Sequence, residues 1–144
     1  MENKSTNDFE LIERFRHAEI YVWQGKKVLL IVATSNYIPI EEFKQIFTQS
    51  SEIIAKYHIT KVIFDKRKLT VFHQPSMEWY FTIWKEEIYL KYGVKAHRKI
   101  LPQDKVFVQS VQLGRMKIER DFPNGKYKEL DIQYAESIEE AVEK

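Results

Sequence analysis

Apolar residues recur along this chain with two alternating periods, one typical of strands and one typical of helices. The stretch AEIYVWQGKKVLLIVATSNY predicts two strands around a turn at residues 25–27. The first strand alternates between apolar and larger amphipathic side chains, which indicates one less buried face. The second, VLLIVA, is apolar on both faces and therefore favours a central position in a sheet.

Helical spacing follows, with recognisable start and stop residues. Pro39 fits the first turn of a helix whose apolar stripe faces a core. The segment PSMEWYFTIWKEEIYLKYG predicts a second helix that ends at Gly93. Asp104 can cap a third helix, and Ser137 with Glu140 forms a capping box for a short fourth one.

Three further apolar stretches predict strands between these helices: KVIFD, AHRKIL and LDIQYA. The predicted order is β-β-α-β-α-β-α-β-α, and alternating strands and helices indicate parallel crossovers. We therefore expect an α/β fold with about five strands in one mixed sheet, parallel at its centre, and about four helices. Residues 1–8 are polar and predict a disordered tail, and residues 9–144 predict a single domain.

The amino-acid composition argues against several classes of function. The chain has 144 residues, 44% of them hydrophobic and 14% aromatic, as expected of a globular protein. Its 23 basic and 21 acidic residues nearly cancel, which argues against a nucleic-acid binder. Cysteine is absent, which excludes disulfides, thiol catalysis and cysteine-ligated metals. No apolar run approaches a membrane span and no signal core is present, so a cytoplasmic protein without cofactors is expected.

Candidate chemistry is concentrated after the third strand, in the segment VIFDKRKLTVFHQPS. Asp65 ends a buried parallel strand, where open α/β sheets usually place ligand sites, although a turn-ordering carboxylate is the alternative. Lys66, Arg67 and Lys68 follow, and we expect three exposed cations that either bind a phosphate or an acidic partner surface or are simply part of a solvated loop. His73 is the best general-base candidate, but the sequence pairs it with no nucleophile or acid.

Two residues of the second helix add alternatives. Ser76 is a phosphoacceptor candidate or a residue that helps to start the helix. Trp79 falls near the helix edge, where with Phe72 it could line an apolar pocket or a self-association surface, or simply extend an aromatic core. The histidines show no metal-ligand spacing, and the four glycines form no nucleotide-binding fingerprint.

The strand pair, the VIFD strand with its loop, and the acidic ending ESIEEAVEK resemble the STAS domain, and more closely its SpoIIAA-like group, named after bacterial anti-sigma factor antagonists. The resemblance covers roughly residues 18–143. It implies a non-enzymatic domain with a phosphorylatable hydroxyl at the start of the second helix, whose phosphate blocks docking to a kinase-like partner. Where the family has an Asp-Ser-type segment, this chain reads His73-Gln74-Pro75-Ser76. Relatives without the switch are suspected of binding lipids or other apolar molecules.

These observations predict a non-catalytic regulatory or binding module that docks a protein partner. The predicted binding residues are Asp65, Lys66, Arg67, Lys68, His73, Ser76 and Trp79. The alternative is a carrier of an apolar or lipid-like molecule in a pocket between the second helix and the sheet. A hydrolase that uses His73 is a third hypothesis, and homodimerisation through an edge strand or exposed aromatics is a further one.

Overall fold

Six strands form one mixed sheet whose spatial order equals the chain order. The computed structural model describes residues 8–144. The strands are β1 (Glu10–Arg14), β2 (Ala18–Trp23), β3 (Val28–Ala33), β4 (Lys61–Asp65), β5 (Ala96–Ile100) and β6 (Asp131–Tyr134). The first three pair antiparallel, and β3 through β6 pair parallel. The α/β class and the mixed sheet with a parallel centre are confirmed.

Four helices connect and cover these strands. They are α1 (Ile40–Tyr57), α2 (α-helical Gln74–Trp79, π-helical Tyr80–Trp84, α-helical Lys85–Tyr92), α3 (Lys105–Asp121) and α4 (Ile138–Glu143). Right-handed crossovers between consecutive neighbouring strands put their helices on the same side of a sheet. Accordingly α1, α2 and α3 all contribute to one core, which packs against Ile31, Val62 and Phe64. A short 3₁₀ turn, Lys126–Glu129, precedes β6.

The opposite face of the sheet is covered by α4, which two cations hold in place. The Lys61 amine donates to the carbonyl oxygens of Ala141 and Val142, at 3.1 and 2.8 Å. The buried Arg98 guanidinium donates to the Lys144 carbonyl at 3.0 Å. The last carbonyls of a helix have no hydrogen-bond partner within the helix and carry partial negative charge. The two cations supply hydrogen-bond donors to these carbonyls and also compensate their charge.

Strand β1 is the element that the sequence pattern did not predict. Its residues, ELIER, are mostly charged and mostly exposed, because it lies at the edge of the sheet. An edge strand gains its structure from backbone pairing with a neighbour and needs no apolar period of its own. The predicted tail over 1–8 lies outside the described residues except for Asp8, so that expectation stays a prediction.

The predicted helix ends are confirmed in detail. The Asp104 carboxylate accepts from the backbone amides of Val106 and Phe107. Gly93 has φ 71°, the left-handed conformation that glycine adopts without strain, and it ends α2. Within α3, Val111 is buried in the core, whereas Met116 is exposed.

Gly114 brings α3 into close contact with the first turn of α2 and with Phe72 just before it. A Cβ atom there would lie 2.8 Å from the Phe72 ring and 3.0 Å from the Met77 sulfur, and it would also meet the Gln74 amide oxygen. The Gln74 side chain donates to the Gly114 carbonyl at 3.3 Å. The absence of a side chain therefore sets how closely α3 approaches this segment.

Replacing glycine by alanine inside an exposed helix normally stabilises it by about 0.4–1 kcal/mol. We expect Gly114→Ala to do the opposite and to lower the free energy of unfolding by about 1–3 kcal/mol, because the added methyl group overpacks this contact. Urea unfolding measures the change, with Gln109→Ala on the exposed side of α3 as the control. A Gly114→Ala protein as stable as the wild type would contradict the close approach.

Candidate functional site

The loop that joins β4 to α2 lies at the carboxyl edge of the parallel strands. Successive residues of β4 face opposite sides of the sheet: Phe64 packs in the core beneath α1–α3, and Ile63 packs in the core beneath α4. The alternation continues into the loop. Asp65 pairs with Arg67, which lines a depression between α3 and the end of β6 together with Val108 and Tyr134, whereas Lys66 lines a cavity beside α2. The loop therefore presents different chemistry to the two sides.

Asp65 orders the turn and does not form a contact surface. Only 5% of its surface is exposed. Its carboxylate accepts from the Arg67 backbone amide at 3.1 Å and from the Arg67 guanidinium at 3.0 and 2.7 Å. Hydrogen bonding to this carboxylate raises the pKa of Arg67. The geometry fits the turn-ordering alternative, and a contact between Asp65 and a partner stays a prediction.

Lys66 overturns the expectation of three exposed cations. It is only 8% exposed, while Arg67 and Lys68 are exposed. Its amine lies 5.0 Å from the centre of the Phe64 ring and 5.7 Å from that of the Tyr80 ring. Burial lowers the pKa of Lys66 to about 8. Of these three consecutive basic residues, Lys66 therefore lies in the interior, and Arg67 and Lys68 lie at the surface.

His73 and Ser76 are brought together by the first turn of α2. The His73 Nδ1 atom lies 2.8 Å from the Ser76 hydroxyl oxygen. In residues 8–144 no carboxylate is hydrogen-bonded to the His73 ring, so the pair lacks the third group that orients a catalytic histidine. Ser76 is buried at 6% exposure, so a kinase could reach its hydroxyl only if this turn opened. Its role as a phosphoacceptor stays a prediction.

Trp79 lies apart from the other predicted site residues. Its ring is half-buried, packs edge-on against Phe43 at 6.2 Å between centroids, and has the Lys44 amine 6.0 Å away. It does not line the cavity beside Lys66. The geometry fits the alternative that Trp79 extends the aromatic core.

The cavity beside Lys66 has a volume of about 50 Å³ and is mostly apolar. It lies between the loop, the start of α2 and the end of β4. Its lining combines Lys66, His73 and Ser76 with Tyr37, Ile38, Phe43, Phe64, Leu69, Val71, Phe72, Met77, Tyr80 and Phe107. Two predicted site residues, His73 and Ser76, therefore meet Lys66 at one cavity.

A group of buried cations behind this cavity was not among the predicted site residues. Lys85 of α2 and Lys99 of β5 are fully buried, and both amines lie near the Phe81 ring, at 4.2 and 4.0 Å from its centroid. His97, two residues before Lys99 on the same strand, is also buried. The sequence did contain a signal: AHRKIL is a buried strand with three consecutive basic residues, and Lys85 follows Phe81 by one helical turn.

No salt bridge of the described residues involves Lys66, Lys85 or Lys99, and neither the Lys85 nor the Lys99 amine has a hydrogen-bond partner there. Burial lowers the pKa of Lys85 and of Lys99 well below the ordinary value, and repulsion between the neighbouring amines lowers both further. Burial likewise lowers the pKa of His97. The nearest further cation, Arg115, has its own partner in Glu119 at 3.3 Å. The interior thus holds basic groups without compensating acids.

Comparison of the chain with protein-family models, with curated proteins and with solved structures gives no match. The resemblance to STAS domains therefore stays a prediction. In the part of the chain from 8 to 144, no helix is long and apolar enough to cross a membrane, and no cluster of acidic and histidine side chains could hold a metal.

The buried amines predict stability that increases with pH. Because their pKa values are lowered on folding, the unfolded chain binds more protons than the folded one, and raising the pH favours the folded state. Each amine that is neutral when folded and charged when unfolded adds about 1.4 kcal/mol per pH unit. Between pH 7 and 9 we expect the free energy of unfolding to rise. Tyr21, with its pKa raised to about 12, opposes this only at higher pH.

Urea unfolding at pH 7, 8 and 9 measures this slope. The double variant Lys85→Met/Lys99→Met should reduce it, whereas Lys105→Met, which removes an exposed amine, should leave it unchanged. Stability that does not rise from pH 7 to 9 in the wild type would contradict this prediction, because lysines that stay charged in the folded protein add no such slope.

Proposed function

We propose that this chain is a non-catalytic regulatory or binding module of the STAS, SpoIIAA-like kind that docks a protein partner in the cytoplasm. Its docking surface is the exposed part of the β4–α2 loop, residues 67–73, together with the start of α2. The observation that carries this proposal is that the loop is exposed at the carboxyl edge of the sheet and yet fixed by hydrogen bonds.

Three sets of contacts fix the loop. Asp65 binds Arg67 through both backbone and side chain. The Leu69 amide donates to the Lys66 carbonyl at 3.0 Å, and the Thr70 amide donates to the Asn36 carbonyl at 2.9 Å. A surface that is already ordered loses less conformational entropy when a partner binds, which favours affinity.

The exposed side chains of the loop combine charge with an apolar centre. Arg67 and Lys68 are exposed cations, Thr70 is exposed, and Val71 is 47% exposed. Complementary charge speeds association and orients a partner, and an apolar centre contributes the buried contact. We infer a partner surface that is acidic around an apolar patch. Asp65 and Ser76 support the shape of this surface from within.

The carrier alternative has less support. Pockets for drug-sized ligands usually measure about 300–1,000 Å³, and the cavity between α2 and the sheet is only about 50 Å³. A lipid-like molecule would therefore require the loop to move. Homodimerisation stays a prediction, with the exposed edge strand β1 as the surface to test.

Docking is tested by quantitative affinity purification from the source cell with wild type, Val71→Asp and Leu90→Asp. Leu90 is 63% exposed at the far end of α2 and provides a matched control for placing a charge on exposed apolar surface. We expect a partner to be depleted at least about tenfold by Val71→Asp, because a buried unpaired charge costs more than ~1.4 kcal/mol.

The same partner should be recovered at wild-type level with Leu90→Asp. Lys68→Glu should weaken recovery more at low ionic strength than at high, because screening removes the contribution of an exposed charge. Indistinguishable partner profiles for the wild type and Val71→Asp would exclude the loop as a docking surface.

A further inference from the structure

Within residues 8–144 the buried basic residues lack an acid, and the cavity beside Lys66 offers a place for one. The three lysines come from different parts of the fold: Lys66 follows β4, Lys85 belongs to α2 and Lys99 to β5. Their amines lie around the rings of Phe81 and Tyr80. Aromatic faces attract cations, but they carry no net charge that could neutralise a protonated amine. Buried charges in proteins are normally paired, so protonation of any of these amines calls for a counter-charge that residues 8–144 do not supply.

Lys66 connects this set to the cavity. It lines the cavity directly, and its side chain is more than nine-tenths buried without an acidic or hydrogen-bonding partner among the described residues. The Tyr80 ring also lines the cavity, and the Lys85 amine lies 4.6 Å from the centre of that ring. An anion in the cavity would therefore contact Lys66 and favour protonation of the Lys85 amine behind Tyr80.

We propose that this cavity binds a short-chain monocarboxylate, with its carboxylate at the Lys66 amine and its apolar chain against the aromatic and aliphatic lining. The cavity lies directly beneath the docking surface and shares Val71, His73 and the start of α2 with it, but binding of the carboxylate does not require a docked protein.

The size of the cavity sets the size of the ligand. One buried water requires about 10–15 Å³ of such volume, so about 50 Å³ holds roughly three to five waters. A ligand that replaces them has about three to five non-hydrogen atoms by the same measure. Butyrate, with one atom more than this range, is the longest monocarboxylate we expect to bind, and a fatty acid is far too large.

The lining favours a carboxylate over phosphate. The titratable and hydroxyl groups beside Lys66 include the His73 ring and the Ser76 hydroxyl, which are already hydrogen-bonded to each other, and most of the remaining wall is apolar. Phosphate presents hydrogen-bond acceptors on every side and would leave several of them against Phe64, Met77 or Phe107. A monocarboxylate has one charged end and one apolar end, which matches a wall with one amine.

Binding should depend on the protonation of Lys66. The charged and titratable groups around it are His73 and Lys85 from α2, His97 and Lys99 from β5, and Arg115 with its partner Glu119 from α3. The cations among them oppose protonation of Lys66, and the bound carboxylate favours it. Since the pKa of Lys66 is about 8, protons are taken up on binding near neutral pH and affinity falls at higher pH.

Isothermal titration calorimetry of the full chain tests the site, with butyrate, 1-butanol and inorganic phosphate as probes. We expect saturable binding of one butyrate at pH 7, with affinity that falls up to about tenfold per pH unit above pH 8. Lys66→Met should weaken this binding by about tenfold or more, because it removes the charge-assisted hydrogen bond. Lys68→Met, which removes the exposed cation two residues away, should leave it unchanged.

Any of the following results would overturn the proposal. Equal binding of 1-butanol would show that the negative charge does not matter, and tighter binding of phosphate would show an inorganic-anion site. Butyrate binding that persists in a folded Lys66→Met protein would place the ligand elsewhere. If Lys66→Met does not fold, the pH dependence of butyrate binding to the wild type tests the proposal instead. An affinity that stays constant from pH 7 to 9.5 would exclude Lys66 as the group that binds the carboxylate. Because no partner protein is present, these results are independent of the docking test.

Discussion

The packing of aromatic rings between the sheet and the first two helices is the interaction on which the rest of the structure depends. This aromatic layer consists of Phe43, Phe47, Phe64, Tyr80, Phe81 and Trp84, with neighbouring ring centroids 4.7–6.2 Å apart. Edge-to-face and stacked arrangements of this kind add to the free energy of apolar burial. The layer also uses polar atoms: the Trp84 indole donates to the Phe47 carbonyl at 2.6 Å and to the Ser51 hydroxyl at 2.8 Å. These bonds join the middle of α2 to α1.

The π-helical segment of α2 is part of the same layer. Its five residues, Tyr80–Trp84, include three of the six aromatic side chains. A π turn inserts an extra residue into the helical repeat, so it changes the direction of the side chains that follow. Lys85 is the next residue and is buried beneath α2 with its amine against the rings. The aromatic layer thereby holds cations where a purely aliphatic core would offer no compensating interaction.

Stability and binding make opposing demands at the carboxyl edge of the sheet. Neutral amines in the interior cost free energy at physiological pH, because water would otherwise keep them protonated. A core of leucine and methionine at the same positions would avoid that cost. The proposed acidic ligand explains why lysine occupies positions 66, 85 and 99 in spite of this cost. On the outer side of the same loop, Asp65 and Arg67 neutralise each other, so that the loop keeps its shape whether or not the cavity is filled.

The sequence by itself determined the class of fold, most of its elements and the position of the loop. Apolar periods and caps are local properties, so Gly93, Asp104 and Ser137 could be assigned from their immediate neighbours. Only the tertiary structure decided which side of the loop each charged residue faces, because a strand directs consecutive side chains to opposite sides of the sheet. The pattern KRK is the same whether Lys66 is buried or exposed. Tertiary packing likewise added β1, whose polar sequence forms a strand by pairing with β2, and assembled lysines 66, 85 and 99, which lie far apart along the chain, around shared aromatic rings.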